Sequence, residues 1–118
     1  MLNEKGAELL KRVIQNKYKD ISLDSLYADD NEFYYEFKIH EVISENDFGN
    51  LEEEMKQLDS SIYVKLLRVS GVYYDGKADN EMITRISGKC FSSLDELEKY
   101  SEFLKEAKER DHRKIGQE

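Results

Sequence analysis

Residues Glu32 to Ile43 alternate strictly, with Phe33, Tyr35, Phe37 and Ile39 on one parity and Tyr34, Glu36, Lys38 and His40 on the other. A period of two places successive side chains on opposite faces of a strand. Such a segment has one buried and one wet face, so the chain must build a sheet and cover one side of it. Around this segment the period changes. Leu2, Gly6, Leu9, Leu10, Val13 and Ile14 recur at helical spacing and predict a helix over Asn3–Lys17. Ile21, Leu23 and Tyr27 suggest a short strand, and Ala28-Asp29-Asp30-Asn31 is turn chemistry that joins it to the alternating strand as an antiparallel hairpin.

Ser44-Glu45-Asn46-Asp47 then offers helix caps, and Phe48, Leu51, Met55 and Leu58 form the apolar stripe of a short second helix. Ser61–Tyr74 is rich in strand formers, but its parity changes at Leu66-Leu67, which predicts burial on both faces or a bulge, placed near Gly71. Asp75-Gly76 is a hairpin turn signal, and Met82–Phe91 returns as the partner strand of what should be the central hairpin. Ser93 and Glu96 fit a capping box that opens a last helix. Leu94, Leu97, Tyr100, Phe103, Leu104 and Ala107 give that helix its stripe, with its end expected near Arg110 and a frayed tail over 112–118. The fold predicted is α+β: helix-strand-strand-helix-strand-strand-helix, a four-stranded, mostly antiparallel sheet with helices packed on one face. At 118 residues this is one domain, 1–118, large enough for a core without disulfides.

Cys90 is the single cysteine, which excludes an intrachain disulfide and favours a reducing compartment. No apolar run approaches the roughly 20 residues of a membrane span, and Met1-Leu2-Asn3-Glu4-Lys5-Gly6 lacks the pattern of a secretion signal. The expectation is a cytoplasmic protein.

The net charge of −8 is unevenly distributed. Asp24–Glu54 holds eleven acids against one base, Lys38, while the segments on either side are basic or balanced. A stretch of this kind attracts cationic surfaces and repels nucleic acid and anionic membrane. Within it, Tyr27 and Tyr34 accompany Asp29, Asp30, Glu32 and Glu36, with Glu52 and Glu53 on the following helix. Amphipathic aromatics flanked by acids suit an interface with Arg and Lys. These eight residues are therefore the expected partner-binding set. The function read from them is that of a non-enzymatic inhibitor, antitoxin or phage anti-defence protein. It would mimic nucleic acid and occupy the basic groove of a nuclease or similar protein, with no direct nucleic-acid contact, no membrane and no cofactor.

Other chemistries find weaker footing. His40 and His112 stand without motif context, and no Cys pair or His-x-x-x-His spacing offers a metal site. Cys90 precedes a helix N-terminus, where a thiol can be activated, although burial is the commoner fate. Asp75–Glu81 lacks the order of a calcium loop, and Gly76-Lys77 and Gly88-Lys89 lack the upstream glycine of a phosphate loop. The alternative function is an anion-binding or enzymatic pocket on the central hairpin from Tyr63, Lys65, Arg68, Arg85 and Lys89. Those bases could equally pair with the acids of the neighbouring hairpin. Self-assembly through tyrosine-rich strand edges is a third possibility.

Overall fold

The computed structural model describes residues 1–73 and 82–116. The expected Asp75-Gly76 turn and Asp75–Glu81 loop lie outside the described residues. The elements are α1 (Leu2–Lys17), β1 (Ser22–Ala28), β2 (Phe33–Lys38), a 3-10 turn (Glu45–Asp47), α2 (Phe48–Leu58), β3 (Tyr63–Tyr73), β4 (Met82–Phe91) and α3 (Leu94–Gly116). The architecture is α+β, with three helices and a four-stranded antiparallel sheet in the order β1-β2-β4-β3. The middle of the sheet is the β2–β4 pair that joins the two hairpins. The β3–β4 hairpin thus supplies one central strand, β4, while β3 lies at an edge.

The alternation in β2 places Phe33, Tyr35 and Phe37 at 0% exposure beneath α1 and α2. Leu10 and Ile14 of α1, Leu51 and Met55 of α2, and Ile86 of β4 complete the fully buried centre. Each such side chain contributes roughly 1.5–3 kcal/mol relative to an exposed one. Close approach of α1 to the sheet needs a bare backbone. A Cβ on Gly6 would collide with Cys90 Sγ and come within 2.8 Å of the Phe33 ring, and one on Gly88 would lie 2.6 Å from Phe33 Cζ. Asn3, 5% exposed, fastens this contact. Its amide nitrogen donates to the Asp29 carbonyl (2.7 Å), and its Oδ1 accepts from the Cys90 N–H (2.9 Å).

Two irregularities shape the sheet edges. The register of β3 against β4 shifts between Leu66 and Arg68, so the bulge coincides with the parity change and not with Gly71. In β1, Leu23 adopts φ 52° beside a register shift between Ser22 and Ser25. A branched residue in this left-handed region costs on the order of 1 kcal/mol and breaks the simple alternation expected from Ile21 and Leu23.

Ser44 opens the 3-10 turn with a capping box: its side chain accepts from Asn46 N (3.3 Å) and Asp47 returns a carboxylate to Ser44 N (2.9 Å). At α3, Ser93 Oγ accepts from Glu96 N (3.2 Å), but the Glu96 carboxylate turns back to Ser92, accepting from its N (3.3 Å) and Oγ (2.8 Å). The α3 backbone continues to Gly116, beyond the end expected near Arg110. It meets the sheet through Tyr100, whose ring lies 5.3 Å from that of Phe91. Among the described residues no helix is long and apolar enough to cross a membrane.

Candidate functional site

The sheet face turned away from α1 and α2 carries the polar parity of each strand. Register aligns Tyr27 of β1 with Tyr34 of β2, Tyr34 with Ser87 of β4, and Ser87 with Arg68 of β3. A second row aligns Ser25, Glu36, Arg85 and Ser70. Tyr27 and Tyr34 stack with centroids 4.8 Å apart and planes 16° from parallel. The Arg85 guanidinium lies 4.3 Å from the Tyr34 centroid, extending the ladder. Arg85 also donates to Glu36 Oε2 from Nε (2.9 Å) and Nη2 (2.7 Å), and Ser25 donates to Glu36 Oε1 (3.2 Å). Arg68 Nη2 donates to both oxygens of Glu32 at 3.1 Å. Ser87, 1% exposed, sits amid this row, and its Oγ has no hydrogen-bond partner among the described residues.

The eight expected partner-binding residues divide between the β1–β2 hairpin and α2. Tyr27, Asp29, Asp30, Glu32, Tyr34 and Glu36 share the β1–β2 hairpin, but most are engaged within the molecule. Asp29 Oδ1 accepts from the N–H groups of Asn31 (2.8 Å) and Glu32 (2.9 Å), and Oδ2 accepts from the Tyr27 hydroxyl (2.8 Å). The Glu32 N–H, with help from Tyr27 and Asn31, holds the Asp29 carboxyl below its usual range. The same bond to Asp29 pushes the Tyr27 phenol up. Asp30 is exposed. Glu32 and Glu36 are held by Arg68 and Arg85.

Glu52 and Glu53 lie on α2. Glu52 is half-buried at the β3 edge, where it accepts the Leu66 N–H (2.7 Å) and burial raises its carboxyl pKa, while Glu53 is exposed. Other acids of the window are bound elsewhere: Asp24 by the Tyr35 hydroxyl (3.0 Å) and Lys11 (3.4 Å), and Glu54 by Lys17 (3.5 Å). These acids are thus divided between the β1–β2 hairpin and α2, and Asp24, Glu32, Glu36 and Glu54 meet bases from other elements.

Nor do Tyr63, Lys65, Arg68, Arg85 and Lys89 converge on a pocket. The two arginines pair with Glu32 and Glu36, Lys56 lies over the Tyr63 ring (4.4 Å), and Lys89 lies 5.3 Å from the Tyr100 centroid. Cys90 is buried, and burial pushes its thiol up to about 12, far from an activated nucleophile. His40 is exposed beyond the end of β2. The sequence reading missed Ser25 and Ser87 as members of this face; the shared parity of Ser87 with Arg85 and Lys89 was the available signal.

No known family profile matches the chain. Threonine–tRNA ligases are similar to it, however. Those of Francisella tularensis subsp. tularensis strain WY96-3418 and subsp. holarctica strain OSU18 are each 28% identical over an alignment of 177 positions that covers 98% of this chain. The ligase of subsp. novicida strain U112 gives the same identity and coverage. The chain spans 28% of the length of these relatives. This likeness overturns the acidic inhibitor, phage anti-defence and nucleic-acid-mimic reading. Within the stretch that suggested mimicry, Asp24, Glu32, Glu36 and Glu54 pair with bases from other elements. What the chain is similar to, along nearly its whole length, is a segment of threonine–tRNA ligase.

Proposed function

We propose that the chain is a non-catalytic accessory module of the aminoacyl-tRNA synthetase type, working in the cytoplasm and associating with tRNA through the polar face of its sheet. The observation that carries this reading is the likeness to threonine–tRNA ligase along 98% of the chain. The geometry supports it. Unpaired bases are commonly held by stacking on aromatic rings displayed by a sheet, and Arg planes can extend such a platform. Tyr27, 43% exposed, ends a ladder that continues through Tyr34 to Arg85. Arg68 stands at the far end of the same row with an exposed guanidinium. With a net charge of −8, long-range attraction to a polyanion is weak, so affinity must come from stacking and local cations.

The test is fluorescence anisotropy of labelled tRNA with the full chain. Wild-type protein binds, and Tyr27→Ala with Tyr34→Ala weakens binding by about 1–3 kcal/mol for each base stack lost, while circular dichroism shows an intact fold. Failure of the wild-type chain to bind any fraction of a total tRNA pool refutes the proposal.

A further inference from the structure

Beyond the sheet face, the β3 edge forms one wall of an open cleft of ≈ 510 Å³ between α2 and α3. Three lysines from two elements line it: Lys65 of β3, and Lys105 and Lys108 of α3. Two carboxylates share the cleft, Glu45 and Glu52, but Glu52 is committed to the Leu66 N–H. Its floor includes Phe48, Leu66 and Leu104.

One feature here has no packing explanation. Gly49, in the first turn of α2, lines the cleft, yet a Cβ placed on it would meet nothing within 4 Å. Glycine weakens a helix relative to alanine, and no neighbour compels it at this position. Lys65 also stands directly opposite Lys89 across the β3–β4 ladder, a like-charge pairing that folding alone disfavours. Lys89 is moderated by the Tyr100 ring and the nearby Asp29, and Lys65 by Glu52. Even so, the lysines run from the polar sheet face, at Lys89 and its cross-strand neighbour Lys65, into the cleft at Lys105 and Lys108.

We propose that this path carries the RNA sugar-phosphate backbone, with phosphates meeting Lys65, Lys105 and Lys108 and the bare backbone at Gly49 admitting the strand close to α2. The inference rests on the tRNA reading above and adds a second contact surface to it. Spaced cations on a flexible stem suit phosphate, a point-charge ligand that needs no planar recognition.

The experiment measures tRNA affinity of the full chain across a salt series. Replacing lysines that contact phosphates lowers the steepness of the log affinity against log salt plot by about one per contact. The double variant Lys105→Gln and Lys108→Gln, at exposed positions where the fold is retained, should flatten the slope by about two and weaken binding at low salt. Gly49→Leu, which keeps every charge, should weaken binding by filling the cleft. Tyr27→Ala with Tyr34→Ala should weaken binding without changing the slope. An unchanged slope in the lysine variant, with wild-type binding intact, overturns this inference and leaves the sheet-face reading standing. Absence of wild-type binding overturns both.

Discussion

At the scale of single residues, Glu52 has the clearest consequence. Its carboxylate is half-buried and accepts the backbone N–H of Leu66, and burial raises its pKa. A carboxyl with a raised pKa binds its proton more tightly in the folded state than in the unfolded chain. Stability attributable to this group therefore falls as pH rises through its ordinary value toward its folded one, and stays reduced at neutral pH. Glu52→Gln keeps an oxygen for the Leu66 N–H and removes the buried charge. The variant should melt above wild type at pH 7, with the gap closing as pH falls below the usual carboxylate range. Thermal denaturation at several pH values checks this; a variant less stable at pH 7 would mean that Lys65 compensates the charge fully.

Among elements, the seating of α1 on the sheet depends on two positions without side chains. Gly6→Ala forces a methyl into Cys90 Sγ and the Phe33 ring. Overpacking of this kind costs about 1–3 kcal/mol, against a small gain in helix propensity, so chemical denaturation should show a clear net loss. Much of this element-level structure was legible in the residues themselves. The β2 alternation announced a two-faced strand because its two parities differ so sharply, and the parity change at Leu66-Leu67 marked the bulge that shifts the β3 register. The helices declared themselves through apolar stripes. Strand order was not legible, because nothing local says that β2 lies beside β4. That adjacency is what brings Glu36 to Arg85 and Glu32 to Arg68, across 49 and 36 residues of sequence. Read along the chain, Asp24–Glu54 is a block of charge; once folded, Asp24, Glu32, Glu36 and Glu54 face bases from distant strands and helices.

For the molecule as a whole, the balance between internal ion pairs and net repulsion can be tested directly. The pairs at Lys5, Lys11, Lys17 and Arg68 are substantially exposed, and such pairs are each worth about 0–1 kcal/mol before screening. A net charge of −8 on a small body opposes compaction, and salt screens that repulsion too. Repulsion should win, so the melting temperature should rise by a few degrees from low to moderate salt; about 1 kcal/mol corresponds to some 2–8 °C across domains of 60 to 250 residues. A falling melting temperature would show that the pairs dominate. The amide of Asn3 adds a different kind of cooperativity. It bridges the turn of one hairpin and the last strand of the other, partners 26 and 87 residues away. Both bonds are in place together only once both hairpins have docked against α1. The opening turn of the chain is thus locked by nearly the last strand to be made, which favours one all-or-none transition over stepwise assembly of the hairpins.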